Sequence, residues 1–157
     1  MSRQLLVPVD GSPLSERALE YAFDAHDDIS VVALHVIDPA DPGYSAPMDV
    51  DVRTEPSHGS EAWYDRAGEM EEAIFEDVRD LAAEYDADLT TESAVGDPAR
   101  RIVDYAEDHD IAAIVMGSHG RSGPTRLLLG STAELVVSRA PVTVTVVRDE
   151  DADAGLA

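Results

Sequence analysis

The chain has 157 residues, 44% of them hydrophobic, which is one domain's length with enough apolar side chains for a core. Its formal net charge is −22 and every one of its 11 basic residues is Arg, so no basic face exists to displace counterions from nucleic acid. The absence of Cys excludes disulfides, thiolate metal sites and a thiol nucleophile, and no apolar run reaches the ~18 residues of a membrane span.

Leu5-Leu6-Val7, continued by Pro8-Val9, is a short, continuously apolar run of the kind found in strands buried on both faces. It is too short for a secretory signal, and the expectation is a soluble cytoplasmic protein with no membrane contact. Asp10-Gly11-Ser12-Pro13 follows. Ser12 suits a helix N-cap and Pro13 the first helical position, and Leu14, Ala18, Ala22 and Ala25 recur at helical spacing to about His26. Ile29 to Ile37 is a second apolar, β-branched run, closed by Asp38-Pro39. Residues 38–60 are rich in Pro, Gly, Ser and Asp without a period and read as a flexible loop, either a functional flap or a disordered insert.

Trp63, Ala67, Met70, Ile74, Val78, Leu81 and Tyr85 then predict a long helix with this set as its core stripe. Asp88 to Val95 reads as a third strand, weakened by Thr and Glu, and Gly96-Asp97-Pro98 repeats the turn, cap and proline pattern. Ala99, Ile102, Val103 and Ala106 mark helix three. Ile111 to Met116 is strand four, a helix runs from Ser131 to about Arg139, and Val142 to Val147 alternates as strand five. The expected domain is 1–148, followed by an acidic, disordered tail over 149–157.

Apolar strands alternating with helical stripes imply one doubly wound, five-stranded parallel sheet with helices on both faces, a Rossmann-like α/β fold. Ligands of such sheets bind beyond the carboxyl ends of the strands, where the strand order reverses. Asp10, Asp38 and Gly117 stand at the ends of strands one, two and four, so Asp10 and the loop after Gly117 are expected to face each other.

That loop organises the chain. From Ile111 to Ala133 there is no Asp or Glu, although the chain carries 33. Glycines at 117, 120, 123 and 130 permit positive φ and close backbone approach, and a glycine loop that ends on a helix N-terminus presents amides suited to phosphate. It is no P-loop, which needs Gly-Lys before Ser or Thr, and no dinucleotide fingerprint, which sits in the first strand–helix turn. Outside this window the acid-rich, Lys-free composition fits a protein working in concentrated salt better than an acidic partner-binding surface.

Taken in order, Val7 to Ser12, Leu34 to Ile37, Gly96 to Pro98, Val115 to Gly123, Leu129 to Ala133 and Pro141 to Val144 resemble the motifs of the universal stress proteins, specifically their ATP-binding branch. The resemblance covers nearly the whole chain and implies an adenine nucleotide alpha hydrolase-like fold. It implies ATP as ligand, with Asp10 and the backbone near Val36 holding the adenosine part. Gly117, Gly120, Gly130, Ser131 and Thr132 would surround ribose and phosphates, with Mg²⁺ or Mn²⁺ bridging the phosphates and no dedicated protein cage. Pro8, Val9, Met116, Arg121 and Gly123 complete the candidate cofactor-binding set.

Plainer readings stand beside these. Ser131-Thr-Ala-Glu134 is a capping box by sequence, so Ser131 is also a candidate cap. Asp10 suits a turn, Arg121 and Arg126 suit solvated loop charges, His35 suits a packed core histidine, and Asp38 suits a strand end. His119 has no paired acid nearby in sequence. No general base, Lys clamp or dedicated metal ligand is evident, so the expected function is a nucleotide-responsive stress regulator with little or no turnover. The alternatives are a slow ATPase or phosphotransferase, and a stress interaction module without nucleotide. Strand five, if an edge, has no Lys or internal Pro to protect it, and pairing with its copy would give the homodimer that the resemblance also implies.

Overall fold

The computed structural model describes residues 3–25, 29–40, 60–119 and 129–148. Among them the expected alternation is present, in the order β1 Gln4–Pro8, α1 Pro13–Ala25, β2 Ser30–Ile37, α2 Glu61–Glu84, β3 Leu89–Val95, α3 Pro98–Asp108, β4 Ile111–Gly117, α4 Ser131–Arg139 and β5 Thr143–Val147. The strands form one parallel sheet in the order β3-β2-β1-β4-β5. The order reverses between β1 and β4, as a doubly wound sheet requires.

Side-chain alternation sends each strand's residues to two cores. On one face Leu5, Val7, Val31, Ala33 and Val115 meet Ala18, Leu19 and Ala22 of α1 and Phe75, Val78 and Ala82 of α2. On the other, Leu6, Val32, Leu34, Val36, Ile114 and Met116 meet Ala99, Ile102 and Ala106 of α3 and Ala133 and Val136 of α4. The strands reading as unbroken apolar runs, β1, β2 and β4, are central and covered on both faces. The interrupted one, β3, is an edge, which is why its Thr and Glu are tolerated.

Three helix starts are capped as their sequences direct. Ser12 Oγ accepts from Ser15 N–H at 3.2 Å, Ser60 Oγ from Trp63 N–H at 3.2 Å, and Asp97 Oδ2 from Arg100 N–H at 3.0 Å. The predicted stripe of α2 needs correction. Phe75 and Ala82 are buried where Met70 and Tyr85 were expected, and Tyr85 is exposed at the helix C-cap. The expected Ile74 and Leu81 are partly buried against the same core, and the fully buried line runs one residue further on, through Phe75 and Ala82. The loop expected over 38–60 lies largely, and the tail expected over 149–157 wholly, outside the described residues.

Candidate functional site

The crevice lies beyond the carboxyl ends of β1 and β4. On the β1 side, Pro8 ends the strand, Val9 is buried with its N–H donated to Leu34 O at 2.9 Å, and Asp10 begins the turn. Asp10 Oδ1 accepts from Ser12 N–H at 2.9 Å, which makes the turn reading real. That bond engages one carboxylate oxygen and fixes the side chain at the crevice mouth. Gly11 takes φ +80°, the left-handed conformation that glycine supplies cheaply.

On the β4 side, Met116 is buried among the α3–α4 face residues, and Gly117 closes the strand. A Cβ on Gly117 would stand 2.9 Å from Leu14 Cβ, so only glycine lets the end of β4 approach the start of α1 this closely. The chain returns at Gly130, whose N–H donates to Ser118 O at 2.6 Å while Ser118 N–H donates to Val147 O at 2.8 Å. A Cβ on Gly130 would press on His119 Cα at 3.2 Å. These glycines seat the ends of the loop on each other.

The consequence is at α4. Gly130, extended at φ −74° and ψ 169°, is its N-cap and has no side chain with which to cap it. The capping box expected at Ser131 is therefore not formed: Ser131 is the first helical residue, one position too late to cap. The first intrahelical bond is Glu134 N–H to Gly130 O at 2.9 Å, so the amides of Ser131, Thr132 and Ala133 precede the helical ladder. The amide of Gly130 is filled by Ser118 and is not among those open to a ligand. Ser131 Oγ is also relieved of capping.

Val36, 8% exposed, lies at the tip of β2 on the α3–α4 face, as does Met116 beyond β4. Pro8, Asp10, Met116, Gly117, Gly130, Ser131 and Thr132 thus gather at the switch point, with Val9 beneath and Val36 one strand further out. Gly120, Arg121 and Gly123, with Arg126, lie outside the described residues. Asp38 ends β2 as expected, its Oδ1 accepting from Ala40 N–H at 2.9 Å. Among the described residues no three His, Asp or Glu converge as a metal cage, and no helix is long and apolar enough to cross a membrane.

Sequence reasoning missed one polar arrangement next to this crevice. His35 is buried, as expected of a core histidine, but its Nδ1 meets Glu71 Oε2 at 2.5 Å, and Ser93 Oγ donates to the same oxygen at 2.8 Å. Glu71 stands four residues after Ala67 and four before Phe75, on the buried line of α2. A carboxylate at a core-stripe position, in a helix otherwise acidic only on its outer face, was the available signal.

The universal stress protein family model matches residues 1–148. A universal stress protein of Methanocaldococcus jannaschii is 32% identical over 149 residues, covering 93% of this chain and 82% of that one. The solved universal stress protein UspA of Lactobacillus plantarum is 31% identical with a TM-score of 0.73, covering 93% of this chain and 97% of its own. Two more distant structures share the fold and were solved with nucleotides. One is a universal stress protein in complex with cAMP, 24% identical, TM-score 0.65, with coverage of 93% and 97%. The other, from Archaeoglobus fulgidus, is in complex with dAMP, 20% identical, TM-score 0.64, with coverage of 94% and 98%.

Proposed function

The chain belongs to the universal stress protein family, and from that premise we propose that it is an ATP-binding regulator whose occupancy, rather than turnover, carries its signal. The observation that carries this reading is the start of α4: a glycine N-cap with no side-chain cap, at the sheet's switch point. Three first-turn amides and the positive end of the helix dipole suit a phosphate. The stretch from Ile111 to Ala133, which leads into that turn, carries no Asp or Glu in a chain of net charge −22. That the same fold holds cAMP and dAMP in two other proteins supports an adenine nucleotide as the class of ligand.

In this reading Pro8, Val9, Asp10, Val36 and Met116 contain the adenosine part. Gly117, Gly120, Gly123, Gly130, Ser131, Thr132 and Arg121 surround ribose and phosphates. A bridging Mg²⁺ or Mn²⁺ takes its ligands from phosphate oxygens and water, which suits an ion that keeps most of its hydration. The protein contributes binding and orientation: amides for the charge, Asp10 for a ribose or base donor. Two copies pair through β5, which is an edge of the sheet. The expected domain of 1–148 and a cytoplasmic location belong to the same reading.

Equilibrium binding of labelled ATP in concentrated salt tests it. Saturable binding should be lost in Gly130→Val with the circular dichroism spectrum retained. Binding untouched by that change would remove the crevice as the site. Sustained phosphate release that needs Asp10 or Ser131 would instead make the protein an ATPase.

A further inference from the structure

The base end of the crevice carries a feature that the phosphate end does not explain. Gly96 follows β3 and donates its N–H to Ile37 O, 2.9 Å away at the tip of β2. Its φ of +140° favours glycine, and a Cβ there would stand 2.7 Å from Arg101 Nε and 3.5 Å from Nη2. The side chain of Arg101 therefore lies back across Gly96. Helical side chains lean toward the N-terminus of their helix, and α3 starts at the carboxyl edge of the sheet, so the guanidinium lies against the Gly96 turn at that edge. Val36, Met116, α3 and α4 all serve the same face. Arg101 and the first turn of α4 consequently stand on one edge and one face, two to three strand spacings apart, or about 10–14 Å. That is the reach from a nucleotide's phosphates to its base.

Local stability does not account for this placement. A cation in the first turn opposes the helix dipole. The partner, Asp104 Oδ2 at 3.5 Å from Nη1, forms a half-exposed pair of the kind that contributes little. Cations are scarce here, 11 against 33 acids.

We propose that Arg101 reads the base of the bound nucleotide and, being donor-only, gives the site a capacity for guanine nucleotides alongside adenine ones. A guanidinium has five N–H donors and no acceptor, which matches the adjacent O6 and N7 acceptors of guanine. Adenine offers N7 beside an N6 donor. The inference rests on the nucleotide reading of the crevice. Arg100, also exposed and in the same turn, projects about 100° around the helix and serves as the charge-matched control.

Calorimetric titration with ATP and with GTP in molar salt, on wild type, Arg101→Gln and Arg100→Gln, decides it. Wild type should bind both. Arg101→Gln should weaken GTP about tenfold and ATP less than about twofold, the discrimination expected of a guanidinium–guanine contact, while Arg100→Gln moves neither beyond about twofold. Wild type that binds ATP and not GTP overturns the proposal. So do equal losses for both nucleotides, or no loss, in Arg101→Gln. In each of those cases ATP binding that still depends on Gly130 leaves the crevice itself intact. Wild type that binds neither nucleotide overturns both readings.

Discussion

His35 and Glu71 are tied Nδ1 to Oε2 across the interface between β2 and α2, with the imidazole 1% exposed and edge-on to Phe75. His35 directly precedes Val36, and its register partner on β3 is Ser93, which binds the same carboxylate oxygen. One carboxylate thus ties α2 to two neighbouring strands just below the base end of the crevice. Removing a partner from a buried polar group costs about 1–3 kcal/mol. Glu71→Ala should lower the unfolding free energy by about that much, while Glu71→Gln, which keeps an acceptor oxygen, should lose less. Equal stability of Glu71→Ala and wild type in denaturant titration would show that the tie is idle.

Gly117 and Gly68 should respond in opposite directions to alanine. At Gly117 the new Cβ meets Leu14 Cβ at 2.9 Å, an atom fixed to the α1 backbone that has no rotamer to yield. Overpacking of that kind costs about 1–3 kcal/mol. Gly68 is in the interior of α2 with nothing within 4 Å of its would-be Cβ, so Gly68→Ala should stabilise by about 0.5–1 kcal/mol through helix propensity. Thermal melts of the two variants check both signs.

Much of this fold was legible because the strands' apolar runs, the Ser12 and Asp97 caps and the turn prolines all agree with each other. The element order, the central burial of β1, β2 and β4 and the packed His35 follow from that agreement. The failures have physical causes. The α2 stripe was read one residue off because Ile74-Phe75 and Leu81-Ala82 are adjacent apolar pairs, and either member of each suits the helical spacing. Ser131 was a false cap because Gly130 closes onto Ser118 and thereby becomes the N-cap itself. Glu71 was hidden among eight other acids of α2, and only the β2–β3 register shows what it holds.

Tyr105 and Tyr85 should ionise later than a free phenol. Burial, followed by the nearby Glu92 charge, raises Tyr105, and the hydrogen bond to Glu20, with further acidic neighbours, raises Tyr85. Both shifts favour the neutral phenol in the folded state. The stability linked to them is present below the unfolded value near 10 and is lost as pH rises through the higher folded value. A spectrophotometric titration should show tyrosinate appearing above pH 10 for part of the tyrosine absorbance, and the late fraction should shrink in Tyr105→Phe.

Salt should govern stability more than any single contact. The net charge of −22 places like charges close along the outer face of α2, where Glu61, Asp65, Glu69, Glu72, Glu76, Asp80 and Glu84 are all exposed. Screening shortens their reach from about 10 Å at 0.1 M salt to about 3 Å at 1 M. The melting temperature should rise steadily across that range. A melting temperature indifferent to salt would show that this repulsion does not limit stability.

β5 is one of two edge strands, and the two are protected differently. β3 carries Glu92, a charge that discourages pairing, and Val95 at its end is exposed. β5 reads Thr-Val-Thr-Val-Val with no charge at all, and α4 beside it exposes Leu135 and Val137. An uncharged, β-branched edge flanked by exposed aliphatics is the surface that two-fold pairing would cover. Light scattering in concentrated salt should therefore give twice the 16.8 kDa chain mass. A charge placed in the middle of β5, Thr145→Glu, should shift the mass toward the single chain while leaving ATP binding at the β1–β4 crevice in place. A wild-type mass of one chain would overturn the pairing through β5.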